Sequence, residues 1–304
     1  MGRLAFVFSG QGSQYTGMGN SLCEASPAAA AIFQMADSLR PGTSAQCFTA
    51  GKEVLSQTVN TQPCVFSVDL AAAAALREQG IVPHYLAGFS LGEVPALAFG
   101  GYLSYEEAFS YVCRRGEAMD KCAREEKGAM FAVLGLDSAA VEAICRAVGG
   151  AWPVNYNCPG QTVVACREEK ADALSAAVKE QKGRAMKLAV SGAFHSPLMK
   201  CAAEELEGAC GALTLEPPRV SVISNLTARP YEGTEQMFAQ VHSPVRWQDT
   251  IEYLIAQGVD TFVEVGPGKI LCGLIAKIAK DVTALHVEDD ETLRATLTAL
   301  KAGA

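Results

Sequence analysis

The chain has 304 residues, 49% of them hydrophobic and 19% charged, and a formal net charge of −8. That length can bury a large core in one domain or two unequal ones, and the composition excludes a disordered chain. The acidic balance, with no basic run interleaved with aromatics, argues against a nucleic-acid partner.

Leu4-Ala5-Phe6-Val7-Phe8 reads as a buried strand almost at the start of the chain. It is too short for the apolar region of a signal sequence, and Phe6 stands where myristoylation wants Ser or Thr. No apolar run approaches the roughly 18 residues that span a membrane, so a cytoplasmic protein with no membrane partner is expected. Further strands are predicted at 83–89, 220–225, 260–265 and 283–287. Helices are predicted at 62–79, 91–99, 104–125, 247–257, 268–279 and 290–301, the third opening with the capping box Ser104-x-x-Glu107. Strands apolar throughout and separated by helices imply a mostly parallel sheet covered on both faces.

The stretch 127–194 has another rhythm. A strand at 129–134 precedes a helix at 138–148. Two strands at 154–156 and 162–166 flank Asn157-Cys158-Pro159-Gly160-Gln161 as a hairpin, and a helix at 170–181 and a strand at 185–190 follow. The order βαββαβ is the ferredoxin-like split unit. The expected division is a large α/β domain from 1–126 and 195–304, with the small subdomain 127–194 inserted. The eleven cysteines are odd in number and scattered, with no Cys-x-x-Cys and only four histidines. They read as small core residues in a reducing compartment, and no metal site is expected.

Gly88-Phe89-Ser90-Leu91-Gly92 lies between an apolar run and a helix-like run. Strand, Gly-x-Ser-x-Gly, helix is the nucleophile elbow, which exposes the serine oxygen at a strand tip beside backbone N–H groups that can hold an oxyanion. Gly10-Gln11-Gly12-Ser13-Gln14 follows the first strand directly. Tyr15 replaces the third glycine of a dinucleotide fingerprint and no Gly-Lys-Ser/Thr follows, so this is a glycine turn at the ligand-binding end of a sheet, able to supply a second oxyanion donor. A serine nucleophile needs a base. His84 belongs at the far end of the elbow strand and His286 in a late strand. His195, in a loop returning to the large domain, and His242 remain as candidates. The helix at 104–125 carries Arg114, Arg115 and Lys121. A buried member could bind a carboxylate with two parallel hydrogen bonds, and solvated ones would be a charged face.

Together these residues resemble the malonyl-CoA:acyl carrier protein transacylases of fatty-acid synthesis and the acyltransferase domains of polyketide synthases, over essentially the whole chain. The matching blocks are Gly10-Gln11-Gly12-Ser13-Gln14, Thr61-Gln62-Pro63, Gly88 to Glu93, Arg115-Gly116, Val154 to Asn157 with Pro159-Gly160-Gln161, Ala193-Phe194-His195-Ser196, Gln240 with Ser243 to Trp247, and Val265 to Lys269. The resemblance implies an α/β-hydrolase-like large domain and a ping-pong malonyl transfer through Ser90, with His195 as general base and then acid. It implies an oxyanion hole from the N–H groups of Gln11 and Leu91, a carbonyl at Gln240 that orients the histidine, and Arg115 on the malonyl carboxylate. Phe194, Phe89 and Gln62 would shape the acyl pocket, Phe194 favouring a small unbranched group. Malonyl-CoA would be the donor and the phosphopantetheine thiol of acyl carrier protein the acceptor, with no permanently bound cofactor and a monomeric enzyme. Lys182, Arg184 and Lys187 are candidates for docking an acidic carrier. Two features depart from the family: Phe89 stands where His is usual, and Ser9 where Pro is common, the latter expected to be neutral. An acyl hydrolase on the same fold, or an inactive carrier-binding scaffold, are the alternatives.

Overall fold

The structure, a computed structural model, describes residues 2–302. Its strands are β1 (Arg3–Phe8), β2 (Tyr85–Gly88), β3 (Gly128–Leu134), β4 (Ala151–Cys158), β5 (Gln161–Arg167), β6 (Arg184–Lys187), β7 (Ser221–Ile223), β8 (Val259–Val265) and β9 (Thr283–Val287). They sort into two sheets. The larger has the order β7-β2-β1-β8-β9 and every pairing in it is parallel. β1 lies in its centre and is buried on both faces. Leu4, Phe6 and Phe8 join the core under the helices Thr58–Glu78, Glu93–Gly100 and Tyr105–Glu125, while Ala5 and Val7 face the opposite core with Trp247, Ile251, Leu271 and Leu274. Alternation along the strand feeds two cores, which is why the segment reads as apolar throughout.

The second sheet has the order β4-β5-β3-β6 and is antiparallel throughout. The helices Ser138–Val148 and Ala171–Glu180 lie between its strands in sequence and bury Val141, Ile144, Leu174 and Val178 in its core. This is the βαββαβ order read from the sequence, with the two halves interleaved as a split unit requires. The fold is therefore mixed α/β, a parallel sheet with a separate small antiparallel one.

Several elements differ from expectation. The helix predicted at 62–79 starts at Thr58, with Pro63 inside it. A proline near the N-terminal end removes only one early hydrogen bond, and burial of most of this helix outweighs that loss. The strand predicted to reach 190 ends at Lys187. Leu188 N still donates to Met130 O, and the chain then leaves the sheet. Helices Asn20–Ala25, Pro27–Leu39, Thr43–Thr49, Lys52–Leu55, Lys200–Cys210 and Glu235–Gln240 were not expected. One signal was available: Ser26 caps Ala29 N ahead of Pro27 in the first turn. Among the cysteines, Cys47, Cys64, Cys145, Cys158, Cys166 and Cys210 are buried and free, as core residues should be. The reading missed a pair: Cys122 and Cys201 form a disulfide.

Candidate active site

The loops after β1, β2, β7 and β8 meet at the C-terminal edge of the parallel sheet, where open α/β sheets bind ligands. The elbow after β2 turns tightly. A Cβ on Gly88 would lie 2.0 Å from the Gly92 carbonyl carbon, and one on Gly92 would lie 2.3 Å from Phe8 O, so neither position tolerates a side chain. Between them Ser90 adopts φ 55°, a left-handed backbone that costs energy for any non-glycine residue and lifts Oγ away from the sheet. Leu91 follows in the 3₁₀ turn Ser90–Gly92, which runs directly into the helix Glu93–Gly100.

Ser90 Oγ lies 2.5 Å from His195 Nε2, and His195 Nδ1 lies 2.8 Å from the carbonyl oxygen of Gln240. His195 is itself left-handed, φ 62°, and is tied by its own N–H to Val241 O. It is buried, and burial, with Arg115 nearby, lowers its pKa to about 4 against the carbonyl hydrogen bond from Gln240. The other histidines lie elsewhere. His84 Nδ1 accepts from Leu4 N at the start of β2, His286 stands beside Glu288, and His242 is half-buried and does not line the cavity.

Of the four cations on the helix Tyr105–Glu125, Arg114 is exposed, Lys121 pairs with Glu205, Arg124 pairs with Asp120, and Arg115 is buried at 1% exposure. Arg115 Nη1 donates to Gln62 Oε1 at 2.8 Å, and Nη2 donates to Gln240 Oε1 at 2.9 Å. Nη2 is also 3.4 Å from Ser90 Oγ. Two side-chain amides thus hold the guanidinium beside the Ser90 hydroxyl. Desolvation lowers the Arg115 pKa, opposed by the nearby Tyr111 and Glu93. Gln240 serves four neighbours, because its Nε2 also donates to Ser90 O at 2.7 Å and to Asn225 Oδ1 at 3.4 Å.

Sequence reasoning missed Asn225 and Glu93. Asn225 Oδ1 accepts from Ser90 N at 2.8 Å, its Nδ2 donates to Gly88 O, and its own N–H donates to Glu93 Oε2. Burial raises the Glu93 pKa to about 8, opposed by the Asn225 hydrogen bond and by Arg115. A polar residue at the end of a predicted parallel strand was the available signal for Asn225. Ser9 was expected to be neutral. It is fully buried, with Oγ 3.3 Å from Pro267 O and 3.4 Å from Val265 O, contacts that a proline could not make.

A cavity of about 260 Å³ opens on this group, lined mostly by apolar side chains. Ser90, Arg115, His195, Gln11, Phe89 and Phe194 all reach it. The Gln11 side chain donates to Thr58 Oγ1 at 3.3 Å. Phe89 packs edge-on against Trp247, ring centroids 5.4 Å apart. Gln62 is buried behind Arg115 and does not line the cavity. Lys182, Arg184 and Lys187 are exposed around β6 and do not line the cavity, although the chain after β6 lines it through Leu188 and Val190. Among the described residues no cluster of three or more His, Cys, Asp or Glu could hold a metal ion, and no helix is long and apolar enough to cross a membrane.

A model of the acyl transferase domain matches residues 5–293. The malonyl CoA-acyl carrier protein transacylase of Bacillus subtilis is 39% identical over 99% of this chain and 98% of that protein. The crystal structure of the corresponding protein from Clostridium perfringens superposes with a TM-score of 0.95 at 34% identity, covering 99% of this chain and 98% of that one. A malonyl-transacylase in complex with its type II PKS acyl-carrier protein superposes with a TM-score of 0.93 at 33% identity, covering 97% of this chain and 99% of that one.

Proposed function

This chain belongs to the malonyl CoA-acyl carrier protein transacylases of the acyl transferase domain family, and from that premise we propose how its residues carry the reaction. It is an acyltransferase that moves malonyl from coenzyme A to an acyl carrier protein. The observation that supports the assignment of roles is the contact of Ser90 Oγ with His195 Nε2 beside the buried Arg115.

Ser90 Oγ attacks the thioester carbonyl of malonyl-CoA and its proton passes to His195 Nε2. The developing oxyanion is held by the backbone N–H groups of Gln11 and Leu91. His195 then gives the proton to the departing coenzyme A sulfur, leaving a malonyl ester on Ser90. The phosphopantetheine thiol of the carrier enters, loses its proton to His195 and attacks the ester carbonyl. Serine leaves and recovers the proton. The net exchange is between two thioesters of similar energy, so no resident cofactor is required.

Arg115 binds the malonyl carboxylate, and its closeness to Ser90 Oγ supports that role. Acetyl lacks that charge and leaves the guanidinium without its ligand. Gln62 and Gln240 position Arg115, and the Gln240 carbonyl holds the protonated Nδ1 of His195. Phe194 and Phe89 bound the acyl pocket with hydrocarbon. The large domain comprises 1–126 and 195–304 and the inserted subdomain 127–194. Lys182, Arg184 and Lys187 offer an exposed basic edge to an acidic carrier. The protein acts as a cytoplasmic monomer.

Incubation with malonyl-CoA followed by intact-mass measurement tests the reading. One malonyl adduct is expected on the wild type and none on Ser90→Ala. Added holo carrier protein should remove the adduct and gain it. An unmodified wild type would sink the assignment, and release of free malonate faster than transfer would favour a hydrolase.

A further inference from the structure

The antiparallel sheet is joined to the rest of the chain by two stems. The helix Tyr105–Glu125 leads in to β3, and residues 188–199 lead out from β6 to the helix Lys200–Cys210. The stems touch closely. A Cβ on Gly192 would lie 2.5 Å from Ala123 Cβ, and one on Gly128 would lie 2.6 Å from Ala193 Cβ, so larger residues at these points would force the stems apart. Lys121 Nζ pairs with Glu205 across the same gap at 2.8 Å. Cys122 and Cys201 sit at this crossing with Cα atoms 6.1 Å apart, inside the usual range for a bridged pair. The bond spans 79 residues, and the whole antiparallel sheet lies within the closed loop.

We propose that Cys122 and Cys201 are a thiol–disulfide modification site, a reversible staple across the two stems of the antiparallel sheet, whose co-reactants are low-molecular-weight disulfides and thiols. Cys201 is half-buried and reachable, whereas Cys122 is 2% exposed and acts as the resolving thiol. In the forward direction the Cys201 thiolate attacks one sulfur of a small disulfide. A mixed disulfide forms and one small thiolate leaves. Cys122 then loses its proton and attacks the Cys201 sulfur, expelling the second small thiolate. Two protein thiols and one small disulfide become one protein disulfide and two small thiols, and excess small thiol reverses both steps.

The staple bears on the cavity from both sides. Cys122 follows Arg115 by two helical turns on the same helix, and Cys201 follows His195 by six residues. Leu188, Val190, Phe194 and His195, which line the cavity, all lie on the stem that the bond fixes. Closing a long loop restricts how far such a segment can open. The bonded form coexists with the 2.5 Å contact of Ser90 and His195, so stapling holds the working arrangement and reduction loosens it.

The wild-type protein treated with hydroxyethyl disulfide, and separately with excess dithiothreitol, tests this. After alkylation and non-reducing digestion, the oxidised sample should yield a cross-linked peptide joining Cys122 to Cys201. Amide hydrogen exchange across 188–194 should be slower in the oxidised sample by on the order of tenfold or more. In Cys201→Ser the two treatments should give the same exchange. Absence of the cross-linked peptide after oxidation would overturn the proposal, as would a cross-link that leaves exchange across 188–194 unchanged. Neither readout depends on malonyl transfer, so failure of Ser90 to load would leave the staple standing.

Discussion

The carbonyl oxygen of Gln240 accepts a hydrogen bond from Nδ1 of His195 at 2.8 Å. A carbonyl can only accept, so the proton sits on Nδ1 and Nε2 faces Ser90 Oγ as a bare lone pair. A carboxylate in that place would also stabilise an imidazolium, and a neutral carbonyl does so far less. Gln240 therefore fixes the tautomer and raises the basicity of the ring only in part, and burial with Arg115 nearby outweighs it and brings the pKa down to about 4.

The pH dependence of acylation follows. In the proposed mechanism neutral His195 is the working form, and it is populated at every pH above about 4. Malonyl-serine formation, measured as a quenched-flow burst, should be flat from about pH 8 to about pH 5 and should fall below that. A drop centred on the ordinary histidine value would show that the ring titrates as it does in water. The stability sign is also set. Between the unfolded value of 6.5 and about 4 the unfolded chain binds the extra proton, so this histidine lowers folding stability as pH falls through that window.

Arg115→Ala should lower malonyl transfer by a factor of tens to thousands, from the roughly 2–5 kcal/mol lost when a buried charge loses its partner. Acetyl transfer should change far less, because that substrate has no carboxylate. The ratio of malonyl to acetyl loading is the decisive measurement, since it cancels any general loss of fold. An unchanged ratio would remove Arg115 from specificity. Arg115→Lys keeps the charge without the planar fork and should fall between the two.

Phe194→Ala should widen the pocket beside His195, where Phe194 lines the cavity. Branched methylmalonyl-CoA should gain relative to malonyl-CoA by on the order of tenfold, the scale of one or two methylene-sized contacts in an apolar pocket. Competition between the two donors, read as adduct masses on Ser90, checks this. A constant adduct ratio would mean that another side chain limits the branch.

Glu93 links the elbow to pH in the opposite direction. Its carboxyl is raised to about 8 by burial, against 4.5 in the unfolded chain. The folded state therefore binds the extra proton between these values. The stabilisation is complete below 4.5 and is lost as pH rises through about 8. Glu93→Gln keeps an oxygen for the Asn225 N–H and cannot ionise. Thermal melts of the wild type should fall from about pH 4.5 to about pH 8, with a shallower fall in the variant. Parallel curves would show that Glu93 is already ionised in the fold.

Much of this site was legible because its signals are local. The elbow glycines, the Ser104 cap and the apolar β1 run each act within a few residues, so Ser90, β1 and the helix carrying Arg115 could be read from sequence. His195 remained open against His242 because the loop at 195 is placed by contacts with Val241 and Gln240. Asn225 and Glu93 were missed for the same reason: their partners lie more than 100 residues away, and no periodicity encodes such a contact. Three of the four helices between 20 and 55 are short and held by packing, as Leu22 shows; Pro27–Leu39 is long enough to read and carried the Ser26 cap as its signal. The Cys122–Cys201 pair was hidden by an odd, scattered cysteine count, which says nothing about which two sulfurs meet.

The basic edge around β6 gives a last prediction. Lys182, Arg184 and Lys187 are exposed, and the chain beyond them continues into the cavity through Leu188 and Val190. An acidic carrier docked there would bring its phosphopantetheine arm to the mouth along that segment. The overall charge of −8 would otherwise repel such a partner, so a local patch has to supply the attraction. Replacing all three residues with Glu should raise the KM for carrier protein by on the order of tenfold or more, with the wild-type advantage shrinking as salt is added. Acylation of Ser90 from a small malonyl thioester without nucleotide or carrier should be unchanged, because none of the three residues reaches the cavity. An unchanged carrier KM at low salt would move the docking surface elsewhere. A fall in small-thioester acylation would show instead that the substitutions disturb β6 and, through its pairing with β3, the cavity wall.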